Sequence, residues 1–159
     1  MLNKSDTDSL KLVIHNLACG NYKEIFKTVS EKIAQISGIK AADTNQALLD
    51  AERQSPSGIG NGVAIAHGKS KNMDQPFITL VKLERPVEFQ SVDQKPVDIV
   101  VVILSPDEEE AHFHLQRLAR ITRHLRNKTV INSLRHAENQ EVLEIIFTKK
   151  EDRIDTIAA

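Results

Sequence analysis

Ser57-Gly58-Ile59-Gly60-Asn61-Gly62-Val63-Ala64-Ile65-Ala66-His67-Gly68 gathers four of the chain's six glycines and runs up to a histidine. Glycine serves where the backbone takes positive φ or where another group comes close. No Asp, Glu, Lys or Arg occurs from Gln54 to Gly68. The stretch therefore reads as an uncharged loop feeding a short strand. If residues 63–67 are extended, Val63, Ile65 and His67 share one face while Ala64 and Ala66 take the other. His67 then stands at the strand end, with Gly68 removing side-chain bulk beside the ring. A neutral imidazole, with an ordinary pKa of about 6.5, is nucleophilic at neutral pH and can accept a phosphoryl group. A plainer reading stands beside this one: a glycine turn, and a histidine whose ring is merely hydrogen-bonded. A dinucleotide-binding loop fits poorly, because the spacing is G-x-G-x-G and a helix rather than a strand precedes it.

Outward from this stretch, apolar segments of different period alternate, which is the pattern of an α/β domain. Residues 10–17 read as a short strand or extended segment. Ile25, Val29, Ile33 and Ile36 recur at helical spacing, with Gly38 as the stop. A second helix is expected after Asp43, a good N-cap, with Ala47, Leu48 and Ala51 facing inward. Residues 77–83 and 97–104 are rich in β-branched side chains, and the second run is apolar enough for a central strand. Pro76, Pro86 and Pro96 lie at the edges of these runs. Ser105-Pro106-Asp107-Glu108 has the form of a helix start: a serine cap, proline at the first position and glutamate three residues after the cap. It predicts a helix over 106–126. Further helices are expected over 129–134 and 139–147, with a frayed tail from Lys149. The domain is placed at 8–150, with flexible termini at 1–7 and 151–159.

Composition narrows the function classes. At 159 residues, 40% hydrophobic and 27% charged, the chain is long enough for one apolar core and is not a disordered sequence. A net charge of -1, no Trp and a single Tyr argue against a nucleic-acid surface. The longest strongly apolar run, Ile99 to Leu104, is far too short to insert in a bilayer, and the N-terminus lacks the pattern of a secretory signal. Cys19 is the only cysteine, which leaves neither an internal disulfide nor a multi-cysteine zinc site. A cytoplasmic protein is expected.

Two further residues draw notice. At 100° per residue, Ala111, His114, Leu118, Ile121 and Leu125 form one stripe of the long helix. His114 is thus turned inward among apolar residues, either as a satisfied core histidine or as a partner of His67. His112 lies nearly opposite it, so the two make a poor metal pair. Arg53 falls just before the uncharged stretch, where a guanidinium offers bidentate hydrogen bonds to phosphoryl oxygens or is an ordinary surface charge.

The run from Arg53 through His67-Gly68-Lys69 resembles the active-site signature of type-2 enzyme IIA domains of the bacterial phosphotransferase system. These are its fructose, mannitol and nitrogen-regulatory classes. The resemblance continues through Pro86-Val87-Glu88-Phe89, Pro96-Val97-Asp98-Ile99-Val100, and Ser105-Pro106 leading to His114-Leu115-Gln116-Arg117-Leu118-Ala119-Arg120-Ile121. It implies a single domain with a mixed β-sheet between α-helices. It also implies that His67 is phosphorylated by an HPr- or NPr-like phosphocarrier protein, that His114 helps hold the phosphoryl group, and that Arg53 lies beside the pair. No cofactor, metal or nucleotide is required, because the donor is already a phosphoprotein. Lacking permease segments and a IIB cysteine, the chain looks most like the nitrogen-type IIA, which acts through regulatory target proteins. A sugar-specific IIA passing phosphate to a IIB component is the alternative, and an interaction domain that keeps only the fold is a second. The family usually has proline before the active histidine. Ala66 stands there instead, which releases the φ restraint and predicts a more mobile strand end.

Overall fold

The computed structural model describes residues 9–149. The expected flexible termini, and all of the expected frayed tail except Lys149, lie outside the described residues. Five strands are present: β1 (Leu10–Leu17), β2 (Gly58–Gly60), β3 (Val63–Ser70), β4 (Phe77–Val87) and β5 (Val97–Pro106). Five helices accompany them: α1 (Tyr22–Ser37), α2 (Ala41–Gln54), α3 (Ala111–Arg126), α4 (Lys128–His136) and α5 (Gln140–Thr148). The sheet order is β1-β4-β5-β3-β2. β1 runs parallel to β4 and β3 parallel to β5, while β4–β5 and β2–β3 are antiparallel. The sheet is therefore mixed, as the resemblance implies.

Both faces are covered, and strand alternation decides which side chain goes where. Ala64, Ala66, Val100, Val102 and Leu104 join Ile25, Phe26, Val29, Ile33 and Leu48 from α1 and α2. Val63, Ile65, Ile99, Val101 and Ile103 point the other way, toward Ile121, Leu125, Ile131, Leu134 and Leu143 from α3, α4 and α5. β5 is apolar on both faces over Ile99–Leu104, which is why its run of branched residues does not alternate with polar ones. The face shared by Val63, Ile65 and His67 is the one predicted from period two.

Local signals explain most helix boundaries. Asn21 caps α1 by accepting the Glu24 N–H at 2.9 Å, and Gly38 ends it in the left-handed region at φ 77°. Ile36, counted with the inner stripe on spacing, is instead 58% exposed at the helix end. Asn127 caps α4 and Asn139 caps α5 through side-chain acceptors.

Two boundaries depart from expectation. α2 starts at Ala41, ahead of Asp43, because the Lys40 carbonyl accepts the N–H groups of both Asp43 and Thr44. Asp43 then occupies the first turn, where the helix dipole favours its charge. More consequentially, Ser105-Pro106 does not open α3. The parallel ladder between β3 and β5 continues to the pairs Lys69↔Ser105 and Ser70↔Pro106, and the Asp107 N–H still donates to the Ser70 carbonyl at 2.8 Å. α3 begins at Ala111, behind an N-cap residue, Glu110, that makes no side-chain capping bond. The serine has been taken for another purpose, described below.

β3 also runs longer than the short strand expected over 63–67, so His67 lies inside it, opposite Ile103, rather than at its end. Ala66 is buried in the same ladder opposite Val102. The preceding glycines form a strand of their own. β2 folds back on β3 through a turn in which Asn61 and Gly62 take φ of 56° and 78°.

Candidate functional site

His67 and Ser105 sit two residues apart in register on the same face of adjacent strands, since His67 pairs with Ile103 and Lys69 with Ser105. The N-terminal turn of α3 lies over that face. There it places His114, 7% exposed, and one turn later Arg117, 3% exposed. His114 Nε2 lies 3.3 Å from His67 Nδ1, with the ring centroids 5.2 Å apart and the planes tilted by 55°. On its other side His114 Nδ1 lies 2.7 Å from Ser105 Oγ. Arg117 Nη1 donates to the same oxygen at 2.7 Å. Glu109, in the turn between β5 and α3, holds the guanidinium by both ends, at 3.0 Å to Nη1 and 2.5 Å to Nη2.

The electrostatics follow from burial. His67 is half-buried, and desolvation holds its pKa below the ordinary histidine value, with the Glu52 carboxylate pulling weakly the other way. His114 is lowered too, by desolvation first and then by the positive charge that His67, Lys69 and Arg117 carry or can carry; Glu109 opposes. Both rings are therefore neutral at pH 7, and each retains one nitrogen lone pair.

Sequence reasoning named His67, His114 and Arg53. The structure brings the two histidines into contact. Arg53 lies in the last turn of α2 with its side chain 76% exposed, 3.7 Å from Asp50, and among the described residues it bonds to neither ring. Its neighbour Glu52 turns the other way and accepts the Ser57 N–H, tying the end of α2 to the segment that leads into β2. Gly68 has a different task from the one its position beside His67 suggested. It faces α2, where an added Cβ would meet the Ala47 Cβ at 3.3 Å, so it lets that helix lie close against β3.

Three members of the site were not singled out from sequence: Ser105, Glu109 and Arg117. Ser105 was assigned to helix capping. Arg117 stands three residues after His114, on the inner side of α3 with Ile121 and Leu125. A charged residue on an otherwise apolar stripe was the available signal, because such a residue needs a buried partner. No group of three His, Cys, Asp or Glu side chains suited to a metal ion occurs among the described residues. Among the same residues no helix is long and apolar enough to cross a membrane.

The family described as phosphoenolpyruvate-dependent sugar phosphotransferase system, EIIA 2, matches residues 9–150. The chain belongs to that family. Among its relatives, a nitrogen regulatory protein of Bradyrhizobium diazoefficiens is 30% identical over 139 residues, spanning 87% of this chain and 90% of the relative. A nitrogen regulatory protein of Klebsiella oxytoca is 33% identical over 132 residues, covering 82% and 81% of the two chains. In structure, the nitrogen regulatory protein IIA-Ntr of Neisseria meningitidis superposes with a TM-score of 0.81 at 26% identity, over 89% of this chain and 98% of that one. The EIIA 2 fold expected from the sequence blocks is the fold observed.

Proposed function

We propose that this EIIA 2 domain is a phosphoryl carrier in which Nε2 of His67 takes a phosphoryl group from a phosphohistidine on an HPr- or NPr-like carrier protein. The observation that carries this reading is the 3.3 Å contact that turns His67 Nδ1 toward His114 and leaves Nε2 unengaged among the described residues. On that geometry the proton of neutral His67 is assigned to Nδ1, donating to His114 Nε2, and the Nε2 lone pair is the nucleophile. Nε2 attacks phosphorus in line with the donor's N–P bond. That bond breaks with its electron pair returning to the donor nitrogen, and no proton changes hands. The protein's share is positioning and charge stabilisation. His114 holds the ring of His67. Arg53, whose exposed ion pair with Asp50 is of the kind worth little, is available to bind phosphoryl oxygens.

Relatives named for nitrogen regulation support a regulatory IIA, read by target proteins through its phosphorylation state. Passage of the phosphate to a IIB component would instead mark a transport domain. The test is phosphotransfer from phosphoenolpyruvate with enzyme I and the carrier, followed by addition of a IIB. The expected result is acid-labile label on the wild type, none on His67→Ala, and no onward transfer. Label persisting on His67→Ala contradicts the site, and rapid discharge to a IIB contradicts the regulatory assignment.

A further inference from the structure

The buried guanidinium of Arg117 has no part in the transfer described above, yet it is built into the site with unusual care. Burying a charge is costly unless it is paired and fully hydrogen-bonded. Here Glu109 supplies a two-point fork, and one of the same N–H-bearing nitrogens is spent on a serine hydroxyl. That serine is wholly buried and gives up the helix-capping role its sequence context favours. Its oxygen lies 2.7 Å from Arg117 Nη1 and 2.7 Å from His114 Nδ1, so the two contacts pin the hydroxyl between guanidinium and imidazole.

We propose that Arg117 and Ser105 are positioning residues for the transfer to His67. Arg117, clamped by Glu109, holds the Ser105 hydroxyl on His114 Nδ1, and this fixes the ring so that Nε2 is the nitrogen presented to His67. The role rests on the phosphoryl-carrier reading. A ring tied at Nδ1 cannot flip or rotate without losing a buried hydrogen bond, so the His67–His114 contact is kept in one register. The groups that face His114 are His67 and Lys69 from β3, Arg117 from its own helix and Glu109 from the turn before it. The fixed charge of Arg117 therefore also opposes protonation of His114, which keeps Nε2 able to accept from His67.

The alternative is that Arg117 and Glu109 only staple the turn after β5 to α3. Ser105→Ala separates the two, because it leaves that ion pair intact and removes only the link to His114. The measurements are phosphoryl-transfer kinetics with the carrier and imidazole 15N shifts of the unphosphorylated protein. In the wild type, His114 should show one protonated and one unprotonated ring nitrogen in a single tautomer. In Ser105→Ala those shifts should move toward a tautomer average, and kcat should fall by about 10- to 100-fold with KM for the carrier unchanged. Arg117→Lys, which keeps a cation but loses the fork, should fall between the two proteins. A wild-type kcat or wild-type His114 shifts in Ser105→Ala would overturn the proposal. If the wild type takes no label at all, the carrier reading fails and the positioning role with it. The 15N shifts would then still report whether the hydrogen-bond relay exists.

Discussion

In the proposed transfer, the reactive atom of His67 is selected by what its ring does on the other side. Nδ1 of His67 is turned to His114, so on that proposal Nε2 is the nitrogen left for the donor, and burial holds the ring's pKa below the ordinary histidine value. With its pKa held below 6.5, His67 keeps its lone pair as the pH falls to and past that value, and loses it only when protonation sets in lower down. Phosphoryl acceptance should therefore be flat from about pH 8 to about 6.5 and decline only at lower pH. Glu52 favours the protonated ring, so Glu52→Gln should move the acid limb to still lower pH while keeping an acceptor for the Ser57 N–H. Rate profiles of both proteins against the same carrier check this, and a limb that moves upward contradicts the assigned electrostatics. The face that His67 shares with Val63 and Ile65 was legible in sequence from period two, while its proposed role came from the resemblance. Arg117 was not, since its partners Glu109 and Ser105 come to it only through the chain's return from β5.

At the scale of elements, local rules place a boundary until a long-range contact outbids them. Gly38 ends α1 as its position in the sequence predicts, and Asn21, Asn127 and Asn139 cap α1, α4 and α5 through their own side chains. Ser105-Pro106-Asp107-Glu108 satisfies every local criterion for a helix start and is overruled by the β3–β5 ladder, which keeps residues 105 and 106 in strand. Nothing within four residues of Ser105 could have revealed that. Close packing between elements was equally hidden, because Gly68 reads as freedom for the histidine and serves as clearance for α2. Gly68→Val should therefore cost roughly 1–3 kcal/mol by overpacking. Ala47→Gly in the same chain should return part of that loss, a coupling measurable in a double-mutant cycle by urea unfolding. Strict additivity would show that the two positions do not share the contact. Loss of the α4 cap in Asn127→Ala should cost about 1 kcal/mol in the same assay.

For the whole molecule, the sheet separates two tasks. Its α1–α2 face is apolar but for the buried Thr79, while its α3–α5 face carries both core and site, so His67 is anchored to an interior strand and His114 to a helix, neither to a loop. That arrangement has a thermodynamic signature. Both histidines have pKa values lower in the folded than in the unfolded chain, so between the folded values and about 6.5 the unfolded state binds more protons. Their neutral burial is thus fully tolerated above pH 6.5, and stability is lost as the pH falls from there through the folded values. Unfolding midpoints in urea should drop between pH 7 and pH 5, and His114→Gln should flatten that drop. An unchanged slope would place the acid sensitivity elsewhere. The α/β alternation and the two-faced sheet were legible because burial imposes periodicity. The strand order was not, because it depends on pairings between segments far apart in the chain.

All three scales meet in one claim, that His67 carries phosphate on Nε2. NMR of the enzymatically phosphorylated protein, labelled with 15N in its histidine rings, tests it most directly. The account predicts a one-bond 31P–15N coupling to Nε2 of His67, a proton retained on Nδ1, and no phosphorus signal in His67→Ala. Coupling to Nδ1 of His67, or to any other histidine, would contradict it.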